Sequence, residues 1–233
     1  MVCPLYLAMT SAEFFSVNRH PEHTAWMACH FSPYGRGLSN FPRNLPPDSM
    51  LILNDRIPVD NHSPEQITEE LLRTLDCGSV SKVLLDLQRP DCGQTRKIVE
   101  EILTKLPCPV GVSPHYDIGG IVFLPPVPED MPAEKHLEKW ADREIWLEVK
   151  NDPLCLLLTA DGCQEIDCDR LSTPEHRDEA MNCHYQISTT ENDIRFLLYR
   201  TEEDTAALLE QHKIGCAVGL YQQFREKKTA LRM

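Results

Sequence analysis

The sequence predicts a (β/α)8 barrel, a TIM-like fold of parallel strands closed into a cylinder. From about Met50, short apolar runs alternate with helical patterns, as in successive βα units. Counted along the whole chain, such runs give eight strands. The rival architecture, an open doubly wound sheet, loses its commonest use because no Gly-rich phosphate loop follows any strand.

With 233 residues, 42% hydrophobic and 25% charged, the chain has enough apolar material for one barrel domain spanning residues 1–233. A net charge of −13 with only 23 Lys and Arg argues against nucleic acid or an anionic membrane as partner. The opening "MVCPLYLAMTSAEFF" lacks the charged start and long apolar run of an export signal, and no window resembles a membrane span, so a cytoplasmic protein is expected. The ten cysteines, from Cys3 to Cys216, are scattered without a CxxC pair and read as reduced, mostly buried thiols.

"PLYLAMT" and "TAWMACHF" supply the first two strands, joined by connections too polar and irregular for full helices. "MLILND" is the third. The helix "HSPEQITEELLRTL" opens with Ser63 as N-cap, Pro64 at its first position and Gln66 completing a capping box, and it sets Ile67, Leu71, Leu72 and Leu75 on one face. "KVLLDLQ" is the fourth strand, followed by the helix "CGQTRKIVEEILTKL". "PVGVS" and "IVFLP" read as buried strands, "PAEKHLEKWA" as a helix and "EIWLEV" as the seventh strand. An insertion over about 150–200 interrupts the pattern with a hairpin turning at Asp161-Gly162 and a second strand pair turning near Glu191-Asn192. The helix "EEDTAALLEQH" then leads to the eighth strand, "CAVGLYQQF".

Barrel enzymes work at the C-terminal ends of their strands, which directs attention to Asn54 and Asp55, to Asp86, Gln88 and Arg89, to Ser113, His115 and Tyr116, to Glu148, and to Tyr221, Gln222 and Gln223. Alternation along the fourth strand puts Leu84, Asp86 and Gln88 on one face and Val83, Leu85 and Leu87 on the other. Asp86 and Arg89 could equally make an ion pair at a strand end, with Arg89 meeting a carboxylate such as Asp55. Glu148 is either a second carboxylate facing Asp86, as paired acid and base require, or a solvent-facing residue of an edge strand. His20, His23 and His30 fix no third ligand by their spacing, so no metal site and no cofactor are expected.

With Asp86 and Gln88 on one face, the fourth strand resembles that of the chitinase-like glycoside hydrolases of family 18. In that family a D-x-x-D-x-D-x-E run ends with an Asp that orients the sugar's N-acetyl group and a Glu that protonates the leaving oxygen. Matched on spacing, Asp86 falls at the final Asp and Gln88 at the acid, while Leu84 and Ser81 stand at the two earlier Asp positions. "GLYQQF" is similar to the family's last strand, with Tyr221 where Trp is usual. An amide cannot donate a proton as a carboxylic acid does, so the resemblance implies a noncatalytic or weakly active barrel binding a small glycan. Asp86, Glu148, Asp55, Gln88, Arg89, His115, Tyr116, Tyr221 and Gln222 are its expected site residues. The alternative is an active hydrolase in which Glu148 or Asp55 supplies the acid. Oligomeric state stays open.

Overall fold

The computed structural model describes residues 3–34, 37–42, 44–58, 62–76, 78–90, 92–168 and 170–225. β1 (Leu5–Met9) runs into the short helix α1 (Ser11–Ser16), whose N-cap Thr10 forms a capping box with Glu13. β2 (Thr24–Phe31), β3 (Leu38–Ser39), β4 (Ser49–Asn54), α2 (Pro64–Asp76), β5 (Val80–Asp86), α3 (Gly93–Lys105) and β6 (Val110–Val112) follow. Next come β7 (Ile121–Leu124), α4 (Ala133–Leu137) and β8 (Glu144–Val149). The insertion contributes β9 (Leu154–Thr159), β10 (Gly162–Glu165), β11 (Glu175–Asp178), β12 (Cys183–Thr189) and β13 (Ile194–Tyr199). α5 (Glu202–Gln211), β14 (Cys216–Leu220) and α6 (Tyr221–Arg225) complete the order.

Among the described residues, eight parallel strands close in the order β1, β2, β4, β5, β6, β7, β8, β14, with β14 pairing back onto β1. The fold is a (β/α)8 barrel with irregular N-terminal units. β1 and β2 are linked through the six-residue α1, and β2 and β4 through β3, which hangs antiparallel on β2. "KVLLDLQ" is a central strand: Leu85 lies opposite Leu53 on one side and Val112 on the other. Capped α2 and amphipathic α3 force this adjacency, because right-handed crossovers return the chain to the neighbouring position. Ser63 Oγ accepts the Gln66 N–H at 3.3 Å, the predicted N-cap contact.

Strand alternation divides the core. Leu84, Ile52, Tyr6, Phe123, Trp146 and Val218 fill the barrel interior, whereas Val83, Leu85 and Leu87 point outward under α2 and α3 with Ile67, Leu71 and Ile98. A second outer layer joins Ile145, Leu147 and Val149 to α4 and α5. Gly111 on β6 exists for one neighbour: a Cβ there would come within 2.5 Å of the Trp146 ring.

The insertion is a five-stranded antiparallel sheet in the order β10, β9, β13, β12, β11. Thr159 pairs with Gly162, so the first turn lies at Ala160 and Asp161, one residue before the predicted place, and Gly162 opens β10 with a φ of 140°. Thr189 pairs with Ile194, which puts the second turn where it was expected. Arg200 ties this sheet to the barrel by donating to the carbonyls of Val127 (2.6 Å), Pro128 (2.9 Å) and Met181 (3.2 Å). Buried Asp204, which closes the capping box of α5 with the N-cap Thr201, meets Arg177 at 3.0 Å and His184 at 3.3 Å from the inserted strands.

The last strand is shorter than the sequence suggests. β14 ends at Leu220 and the chain turns into α6, so Tyr221, Gln222 and Gln223 are helical. In this helix the Gln223 carbonyl accepts from Asn151 Nδ2 at 3.1 Å, and its side-chain amide donates to Asp152. No helix among the described residues is long and apolar enough to cross a membrane.

Candidate ligand-binding site

A cavity of about 1010 Å³ opens where β1, β4, β5, β8 and β14 end, lined by Asp55, Asp86, Gln88, Arg89 and Glu148. Its floor is the top of the barrel core, with Leu84, Ile52, Phe123 and Val218 exposed to the cavity. A site at this end follows from the fold, since the loops there vary freely above a packed scaffold.

Hydrogen bonds made by Asp55, Arg89, Ser113 and His115 shape the stretch after β5. Asp55 is only 5% exposed, yet both its oxygens are used: Oδ1 accepts the Gln88 N–H at 3.0 Å and Oδ2 the Arg89 N–H at 2.7 Å. Arg89 answers through its guanidinium, donating from Nε to the Asp55 carbonyl at 2.9 Å and from Nη2 to the Arg56 carbonyl at 3.3 Å. The expected Asp55–Arg89 pairing is therefore made through backbone on each side. From the turn after β6, Ser113 Oγ accepts the Leu87 N–H at 3.0 Å and donates to the Leu85 carbonyl at 3.1 Å, and His115 Nε2 donates to the Arg89 carbonyl at 3.1 Å.

Held this way, Gln88 turns its side chain back onto its own strand and donates from Nε2 to Asp86 Oδ1. Burial pushes the Asp86 carboxyl above its ordinary range; the Gln88 hydrogen bond opposes the shift, and the Asp55 charge adds to it. Glu148 projects from β8 into the same cavity, opposite Val218 in the ladder. Its carboxyl is raised too, first by burial and then by the Asp86 charge, with Lys150 opposing. Glu148 is thus no solvent-facing residue of an edge strand, because β8 is paired on both sides.

These shifts have a sign. The folded chain keeps protons on Asp86 and Glu148 to higher pH than the unfolded chain does, so stability falls as pH rises from the ordinary carboxylate range through the raised one. Glu148→Gln is expected to flatten that slope and to melt higher than the wild type near neutrality. Equal slopes in thermal melts of the two proteins across that interval would contradict the raised carboxyl.

Four expected site residues lie outside the cavity lining. Tyr116 is fully buried in the outer core with Ile98 and Val112, because the 3-10 turn Pro114–Tyr116 folds it inward. His115 stands behind the loop and supports Arg89. Tyr221 packs partly buried against the outer core, and Gln222 faces solvent, both as consequences of the helix at 221–225. The cavity instead uses Thr10, Ser11, His30 and Asn40, of which only His30 had drawn attention. Thr10 and Ser11 directly follow β1, so the strand-end rule would have found them. His30 Nδ1 donates to the Phe31 carbonyl at 2.7 Å, leaving Nε2 to accept from Asn40 at 3.0 Å. His20 bonds the Phe14 carbonyl and His23 sits beside Asp48, so the three histidines serve separate places.

A closed barrel with an acidic cavity at its strand ends can be compared with known proteins. No protein-family model matches the sequence, and neither does any curated protein sequence. Solved structures do match. The Bacillus cereus spore cortex-lytic enzyme SleL superposes with a TM-score of 0.59 at 11% identity, over 96% of this chain and 73% of that one. The family 18 chitinase from Cycas revoluta, in complex with (GlcNAc)3, gives a TM-score of 0.55 at 8% identity, over 95% of this chain and 96% of that one. A doubly substituted variant of that chitinase, bound to (GlcNAc)4, matches equally, at a TM-score of 0.55. In fold, the chain resembles the family 18 glycoside hydrolases. At such low identity the likeness establishes the barrel and its relation to that fold, and leaves the chemistry to the residues.

Proposed function

We propose that the chain binds a small glycan built from N-acetylated sugars in the cavity above β5 and does not cleave it by the family 18 mechanism. The observation that carries this reading is the Gln88 amide, held against Asp86 at the place where the motif has its proton donor. Asp86 remains as hydrogen-bond acceptor for a sugar's amide N–H, while Gln88 offers no transferable proton. The sugars bound by the structurally similar chitinase support the ligand class. The inserted sheet, tied to the barrel through Arg200 and Asp204, belongs to the same functional unit over residues 1–233. In the cytosolic setting expected from the sequence, small glycans or cell-wall fragments are the fitting ligands.

A second reading, active hydrolysis, draws on Glu148. Its raised carboxyl shares the cavity with Asp86, a combination that suits a general acid. Asp55 suits that role less, since backbone N–H groups occupy both its oxygens.

Titration of purified protein with N-acetylglucosamine oligomers, together with release assays on chromogenic N-acetylglucosaminides, tests both. Binding without release is expected, with Asp86→Ala abolishing binding while the fold persists. Release by the wild type that survives Asp86→Asn would refute both the inert site and the role of Asp86. Release lost in Glu148→Gln would establish the hydrolase reading. Gln88→Glu restores a carboxylic acid of nearly the same shape, but with Leu84 and Ser81 at the other motif positions it is expected to gain little activity.

A further inference from the structure

The inserted sheet is poorly supported by its own core. Its apolar cluster consists of Cys155, Leu171 and Leu197, with Ile166, Cys168 and Tyr199 partly buried against them. β10 is exposed along its whole length. Small layers of this kind gain much from a covalent tie. Within this cluster Cys168, in the loop after β10, packs against the group that holds Cys155, on β9, and its thiol donates to the Arg170 carbonyl at 3.5 Å. The backbone already holds the two segments together, since the Ile166 N–H donates to the Cys155 carbonyl at 2.9 Å, two residues before Cys168.

We propose that Cys155 and Cys168 are a disulfide-forming pair, which staples the loop after β10 to β9 when the protein meets a low-molecular-weight disulfide such as oxidised glutathione. This goes beyond the glycan reading and does not depend on it. Other thiols are placed elsewhere: Cys163 is exposed on β10, and Cys183 donates to the Glu129 carbonyl.

The chemistry starts at Cys168, which solvent reaches, whereas Cys155 is 1% exposed. The Cys168 thiolate attacks one sulfur of the oxidant, forms a mixed disulfide and releases one small thiol. The Cys155 thiolate then attacks the Cys168 sulfur, making the protein S–S bond and releasing the second small thiol. Two protein thiols give up two electrons and two protons, and the oxidant disulfide becomes two thiols. Burial, first, and the neighbouring sulfur push the Cys155 thiol up to about 11 in the reduced protein, so its thiolate is scarce at neutral pH.

Full-length protein is incubated with oxidised glutathione, alkylated and digested without reductant. One cross-linked peptide pair joining Cys155 to Cys168 is expected, reversed by dithiothreitol and formed faster as pH rises. The oxidised wild type should melt several degrees higher than the reduced form, and Cys168→Ser should lose both cross-link and shift. A lasting glutathione adduct on Cys168, a bond through Cys163, or complete alkylation of both thiols after oxidation would each overturn the pairing. Peptide mapping of the wild type decides this even if a variant folds poorly.

Discussion

Asp55→Ala is expected to lose about 2–4 kcal/mol of folding stability and ligand binding together. The carboxylate is almost wholly buried and accepts hydrogen bonds from both the Gln88 and Arg89 N–H groups. Its removal leaves two backbone donors without their charged partner, and each such loss costs roughly 1–3 kcal/mol, less where water can enter. The loop that orients Gln88 against Asp86 would then no longer be held. Asp55→Asn keeps one acceptor oxygen and should fall between the wild type and the alanine variant. Urea unfolding paired with sugar titration measures both effects. A stability within about 0.5 kcal/mol of the wild type would mean that the carboxylate does not hold the loop.

The second large effect lies below the cavity. Trp146 is fully buried in the barrel interior, anchored by donation from Nε1 to Glu144 at 2.9 Å. Trp146→Ala is expected to cost about 3–5 kcal/mol through the cavity it leaves. Gly111→Ala acts on the same contact from β6, two strands away, driving a methyl into the ring, and should cost about 1–3 kcal/mol. Because the two changes share one space, the double variant should be less destabilised than the sum of the singles. Strict additivity in chemical denaturation would show that the Gly111–Trp146 contact is not the reason for the glycine.

Strand count, strand order and the position of "KVLLDLQ" between its neighbours are legible in the sequence because they rest on local periodicity and caps. Apolar runs of strand length, separated by the amphipathic patterns of α2 and α3, leave few ways to connect, and crossover handedness removes most of those. The two-residue alternation likewise gives Leu84, Asp86 and Gln88 a common face before any neighbour is known. The insertion's hairpins are readable for the same reason, with an error of one residue at Gly162, where the turn signal names the glycine but not its place in the loop.

The pocket is a different kind of fact. Whether Glu148 meets Asp86 depends on barrel closure through β14 and β1, which makes β8 an interior strand and brings its inward residues to the same end. Whether Tyr116 touches a ligand depends on a single 3-10 turn that buries it, and whether Tyr221 does depends on β14 stopping at Leu220. Asp55, His115 and Ser113 look alike from the sequence as polar groups after strands, yet their work is to hold backbone. Periodicity assigns a residue to a face; contacts between residues about 30 positions apart, as from Asp55 to Arg89, assign it to a cavity or to the frame around one.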